Sequence, residues 1–253
     1  MMKTAIKPLA LATAFSIASM AGAIAPAQAE LSGNIGIFSS YVLRGITNAP
    51  ENDNAALQGG IDWAGDLGFY AGYWGSNLGY GNPDSDTKGF ENDFYAGWGG
   101  SKDLLSWDIG ATYYYILNID DFNAFEPKGS FGVGPATLGF KYLAEDVACG
   151  NKGDTYWTLS GGGEIGRGFS LGALLGYYVY DTSGEFIPES EEAISSGFRH
   201  FDITLSHPIG DSAAAANLTY IVGGEDRFGV DQDNQMVFSI TYNFDAIKVL
   251  GGK

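Results

Sequence analysis

The stretch Leu57 to Asn77, LQGGIDWAGDLGFYAGYWGSN, decides the fold. Leu57, Gly59, Ile61 and Trp63 share one parity, and Gln58, Gly60 and Asp62 the other. After Ala64-Gly65-Asp66 the alternation resumes. Leu67, Phe69, Ala71 and Tyr73 fall on one side, with Gly68, Tyr70, Gly72 and Trp74 opposite. A period of two is that of a β-strand. A connection this short closes an antiparallel hairpin. The unit is two strands with one apolar, aromatic face and one small or polar face, and it recurs along the chain.

Extending the period outward predicts twelve strands. Besides the hairpin pair they fall at about Leu31–Leu43, Glu91–Gly99, Leu104–Leu117, Asn123–Val133, Ala136–Leu143, Thr155–Gly163, Phe169–Tyr180, Phe198–Ser206, Ala214–Val222 and Asn234–Phe244. The sixth is interrupted by Pro127 and Gly129, and proline removes a ladder donor. The connections alternate in length. Those near Gly65, Ser101, Gly134, Gly166 and Gly210 are short, and those between are long. With both termini on one side, every long loop falls on one rim. That asymmetry belongs to a membrane barrel, whereas a soluble β-sandwich has no reason to sort its loops by length. Closure also removes the edges that so many strands would otherwise expose. The expected fold is all-β: a single antiparallel transmembrane β-barrel of about 12 strands (range about 10–14), with short periplasmic turns and long acidic extracellular loops.

The aromatics are distributed accordingly. Trp63, Phe69, Trp98, Trp107, Phe169, Tyr242 and Phe244 cluster near the short turns. Tyr115, Tyr142, Trp157, Tyr177, Phe201 and Tyr220 cluster near the long loops. Two interfacial girdles would look like this, although aromatics also favour strands in general.

Residues 1–29 read as a secretory signal peptide: Lys3 and Lys7, an apolar run from Leu9 to Ile24, and the small-x-small site Ala27-Gln28-Ala29. The domain at 30–253 is then the barrel. The chain carries a net charge of −17, and without the two leader lysines it would carry −19. Such a balance argues against nucleic acid as a partner. The single cysteine, Cys149, excludes an intramolecular disulfide.

Some of these residues resemble a known family. Tyr41-Val42-Leu43-Arg44-Gly45-Ile46-Thr47 resembles the Y-x-x-R-G-x-S/T opening of the TorF family of proposed porins. So do Leu57 to Asp62, Gly68 to Asn77, Glu91 to Gly97, Gly168 to Ala173 and Gly176-Tyr177. The resemblance is dense over roughly residues 35–115 and implies an outer-membrane barrel with a channel role. One departure is that nine residues, Asp245 to Lys253, follow Phe244, where such barrels commonly stop at a terminal aromatic.

Strand parity points Arg44, Asp62, Glu91, Asp93, Asp108, Lys141, His200 and Asp202 toward the lumen, where they would line a pore. Five acids against two bases predict a mildly cation-preferring path. The six long loops carry 18 Asp and Glu against three Lys and Arg. Acidic loops of this kind gather cations or simply stay solvated. Asp231-Gln232-Asp233 has some character of a calcium loop without its full spacing. Arg199 is placed outward at the rim, where it would meet a lipid phosphate. His200-Phe201-Asp202, with Ser76 or Ser196, would imitate a hydrolase triad. No catalytic residue, metal site or cofactor is assigned.

The expected function is a porin-like channel in the cell outer membrane, passing small hydrophilic solutes or ions by passive diffusion. Its partners would be outer-membrane lipid, lipopolysaccharide and those solutes. The alternatives are a closed barrel acting structurally, in adhesion or in binding through its loops, and, further off, a hydrolase.

Overall fold

A computed structural model describes residues 30–47, 53–82, 86–190 and 192–247. The leader reading and the last six residues lie outside them. Twelve strands form one closed barrel: β1 Glu30–Phe38, β2 Ala56–Ala64, β3 Phe69–Asn77, β4 Phe90–Lys102, β5 Leu105–Leu117, β6 Ala124–Val133, β7 Ala136–Tyr142, β8 Thr155–Gly166, β9 Phe169–Val179, β10 Ser196–Pro208, β11 Ala214–Gly223 and β12 Gln235–Asp245. Each strand pairs antiparallel with its sequence neighbours. β1 closes on β12 from Ser32↔Asp245 to Phe38↔Ser239. The decisive hairpin forms, with Gln58 opposite Ser76 and Ala64 opposite Tyr70, but its turn runs from Gly65 to Gly68, so Ala64 is paired and Leu67 lies in the turn.

The alternation of connections is real. Asp103-Leu104 and Arg167-Gly168 are two-residue turns on the short-turn rim. Arg167 and Gly168 take φ of 56° and 79°, the two positive values a type I′ hairpin turn requires. Outward positions are apolar and exposed on every strand, Ile35, Ile61, Phe94, Ile109, Leu138, Leu159, Ile203 and Ile240 among them. Trp63, Phe69, Trp98 and Tyr242 flank one end of this band, and Tyr115, Trp157, Tyr177 and Tyr220 the other, all exposed. On the strands, buried residues lie on the inner face, and more of them are polar than apolar. Apolar surface faces out and polar surface faces in, the inverse of a soluble sandwich.

Three local features need the structure. β1 ends at Phe38, five residues early. The Ser39 N–H still reaches Phe238 O (2.8 Å), but the Phe238 N–H then donates to Ser39 Oγ (3.0 Å) instead of a backbone carbonyl. The side chain takes over the ladder bond and the backbone peels off the wall. Tyr41, which continues the parity of the outward Ile35 and Ile37, is therefore buried inside. β6 survives Pro127 because β7 pairs with β6 only from Lys128 to Val133, so the proline lies beyond that ladder. β10 carries a bulge between Phe198 and His200. A bulge re-aims one side chain. It turns Arg199 into the barrel, correcting its outward placement.

Candidate functional site in the barrel lumen

All eight residues assigned to the lumen do face it, but Arg44 arrives by an unexpected route. It is not on β1. It rides on segment 39–47, which leaves β1 and folds back inside the barrel. Arg44 and Gly45 take φ of 50° and 74° at the tip of that turn. A Cβ on Gly45 would sit 2.5 Å from His200 Cβ, so the turn packs directly on β10. Tyr41 packs its ring 6.4 Å from that of Trp74 and donates to Glu91 Oε2 (2.6 Å). Thr47 holds the far end, donating from N and Oγ1 to Gln232 Oε1 (3.0 and 3.1 Å). That bond gives the weak calcium-loop segment its role here, as an anchor for the insert.

Arg44 is the hub of the upper lumen. Its fork engages Glu126 through Nη1–Oε1 (3.0 Å) and Nη2–Oε2 (2.6 Å). Nη1 also donates to Tyr178 Oη (2.5 Å), and the guanidinium lies 4.8 Å from the Tyr156 ring centroid. Tyr114 donates to Glu126 Oε2 (2.7 Å) and accepts from Lys141 Nζ (2.8 Å). Bidentate, stacked geometry of this kind is specific to arginine. Asp93 lies beside this cluster, within electrostatic reach of Glu91, Lys141, Glu126 and Arg44, and its Oδ1 is buried without a hydrogen-bond partner.

Glu126 and Lys128 were missed in the sequence because Pro127 made β6 look doubtful. Their parity was the available signal, since both fall in step with Ser130 on the inner face. With them the charge count in the middle of the lumen changes. Asp62, Glu91, Asp93, Asp108, Glu126 and Asp202 stand against Arg44, Lys128, Lys141 and Arg199, so among these residues the acid excess is two rather than three.

Below the hub the wall of β2 to β6 is paved with glycine. Tyr70, Gly97, Gly110 and Lys128 occupy one cross-strand row. Two glycines in the middle let the end side chains lie along the wall, and Lys128 Nζ comes within 5.6 Å of the Tyr70 ring centroid. Tyr95 lies over Gly72 in the same way, where a Cβ would stand 2.4 Å from the ring. Tyr70 donates to Asp108 Oδ1 (3.0 Å), and Tyr95 donates to Asp62 Oδ1. The facing wall is small and neutral. Thr204 meets Thr219 (2.9 Å), and Asn217 donates to Ser239 Oγ (3.2 Å) and Thr241 Oγ1 (3.3 Å).

His200 and Asp202 are joined at 2.7 Å through Nδ1, and Nε2 meets Tyr156 Oη at 2.6 Å. The ring is thus held between the carboxylate and the phenol. Neither serine named from the sequence enters this chain. The Ser76 hydroxyl donates to Asn77 O (3.0 Å), and Ser196 Oγ accepts from Tyr177 (3.0 Å). Arg199 donates from Nε to Arg44 O (3.1 Å) and from Nη1 to Glu225 O (2.8 Å), clamping the insert from behind.

The long loops are tied together at the rim. Arg227 pairs with Asp154 and lies 4.9 Å from the Tyr180 ring centroid. Burial pushes the Tyr180 phenol up to about 12, so it stays neutral. The Asp154 carboxylate also accepts from the N–H groups of Asn151 (3.0 Å) and Asp181 (2.9 Å). Cys149 is exposed in the same loop.

A family model described as "Bacterial protein of unknown function (Gcw_chp)" matches residues 21–244. The chain belongs to the Gcw_chp family. That description assigns no activity, and the TorF name suggested by the motifs is not shown by it. No curated protein matches. Among solved structures, the Gcw_chp chain is similar to the KdgM porin at a TM-score of 0.50 and 8% identity, covering 85% of this chain and 98% of that one. The same values hold for the KdgM porin in complex with disordered oligogalacturonate. The NanC porin follows at a TM-score of 0.49 and 10% identity, covering 83% and 97%. At such identities the likeness establishes the barrel fold alone.

Proposed function

We propose that this Gcw_chp protein is a porin-like channel of the outer membrane, passing small hydrophilic solutes through a lumen narrowed by segment 39–47. The observation that carries the reading is the inverted surface: an apolar, aromatic exterior around a closed wall whose interior is charged and hydroxyl-lined. A barrel is the one sheet form that satisfies its backbone in lipid. Export through a cleaved leader and an outer-membrane location follow from the same reading. Twelve strands make a ring wider than the eight-stranded barrels that side chains fill. Glycine paving keeps Tyr70, Tyr95 and Lys128 against the wall instead of across it. An excess of two acids favours cations mildly. It also disfavours a polyanion of the kind named for the KdgM complex as a solute here.

One observation favours a second reading. Tyr41 and Arg44 bind so many lumen groups that they could seal the barrel, leaving the acidic loops as its working surface. Single-channel recording of refolded protein in a planar bilayer, with reversal potential in a KCl gradient, separates the two. Stable steps with a cation-side reversal support the channel. A folded, heat-modifiable, silent barrel supports the sealed form.

A further inference from the structure

The lower lumen holds charges that are prevented from meeting. Lys128 Nζ lies 5.6 Å from the Tyr70 centroid and 5.3 Å from that of Tyr95. Each of those phenols is hydrogen-bonded to a carboxylate, Asp108 and Asp62 respectively. The ammonium thus lies over the ring faces while the two acids hold the phenol hydroxyls at the ring edges. Asp62 and Asp108 act electrostatically on Lys128, yet among the described residues Lys128 enters no ion pair. A lysine in a structural network contacts its acid, as Lys141 does with Glu126 at 3.6 Å. Here both signs are fixed on one wall, separated, and opposed by small neutral side chains. A cation alone would find two carboxylates but also a repelling ammonium. An anion would meet the converse. A solute with an ammonium and a carboxylate of its own satisfies both.

We infer that Lys128, Asp62 and Asp108, spaced by Tyr70 and Tyr95, form a station for small zwitterionic solutes of the α-amino-acid type. The solute carboxylate pairs with Lys128 and its ammonium with Asp62 or Asp108, while the tyrosine rings flank its carbon skeleton. This inference rests on the channel reading and names the solute class that the channel favours.

The test is swelling of liposomes containing the full protein, in isotonic alanine and in lactamide, its uncharged isomer. Wild type should pass alanine faster by roughly fivefold, the upper worth of one half-exposed ion pair. Lys128→Met should bring the alanine-to-lactamide ratio to one. Asp62→Asn combined with Asp108→Asn should do the same. Equal wild-type rates for the two isomers overturn the station and leave the channel standing. Loss of preference in the acid variant but not in Lys128→Met makes it a plain cation site, which also overturns the proposal. No swelling with either solute, from protein that is folded by heat modifiability, overturns the channel and the station together.

Discussion

Arg44→Ala tests the lumen architecture most directly. The guanidinium is 10% exposed and Glu126 6%. Removing one partner of a buried ion pair costs about 3–5 kcal/mol, because the other charge is left behind. Glu126 is not abandoned here: it keeps Tyr114 at 2.7 Å and Lys141 at 3.6 Å. That support should hold the loss to about 3 kcal/mol, the low end of that range. The same substitution removes the side chain that fills the space between Tyr114, Tyr156 and Tyr178. It also raises the excess of lumen acids from two to three. Conductance should rise, and the reversal potential should move toward the cation limit. Urea unfolding from lipid vesicles measures the first effect and planar-bilayer recording the other two. A cycle with Glu126→Gln should show coupling of about 1–3 kcal/mol, as for groups in one network. An unchanged step and reversal potential, with a stability loss below about 0.5 kcal/mol as for an ordinary surface site, would refute the hub.

Other positions give independent checks. Gly45→Ala places a Cβ against His200 at a positive φ, so the insert should be expelled and take Arg44 with it; conductance should rise and the reversal potential should move toward the cation limit, as in Arg44→Ala. Gly97→Ala drives a Cβ to 2.3 Å from Tyr70 Oη and 2.7 Å from Ile109 O, so vesicle unfolding should show a loss of about 1–3 kcal/mol from overpacking. Ile109→Arg puts a charge on the outward face, where Ile109 is 63% exposed. It should cost about 2–4 kcal/mol in lipid, whereas Ser130→Arg on the inner face of the adjoining strand should chiefly alter ion selectivity. Arg227→Met cuts the tie to Asp154 and should speed protease cleavage of the long loops in intact vesicles, leaving heat modifiability unchanged.

The barrel was legible because its signal is local. Each strand reports its two faces through the parity of its own residues, and the sorting of loop lengths is written in linear order. The same parity assigns Asp62, Glu91, Asp93, Asp108, Lys141, His200 and Asp202 to the inner face, and a one-residue slip would move all of them to the outer one. Where a single residue breaks the period, parity fails. The bulge at Phe198 to His200 turned Arg199 inward, and Pro127 hid Glu126 and Lys128 behind an apparent interruption.

Segment 39–47 shows a different limit. Tyr41 continues the alternation of Ile35 and Ile37, so periodicity extends the strand through it. What ends the strand is the Ser39 hydroxyl, which captures the Phe238 N–H across the barrel seam. No local pattern announces a bond between residues 199 positions apart. The Tyr41-x-x-Arg44-Gly45 spacing becomes intelligible only with the lumen in view. Tyrosine needs Glu91 on one wall, arginine needs Glu126 and Tyr178 on others, and Gly45 leaves the room on His200 for the turn that joins them. A motif that reads as the end of a strand is thus the segment that turns back into the barrel and ties its walls together.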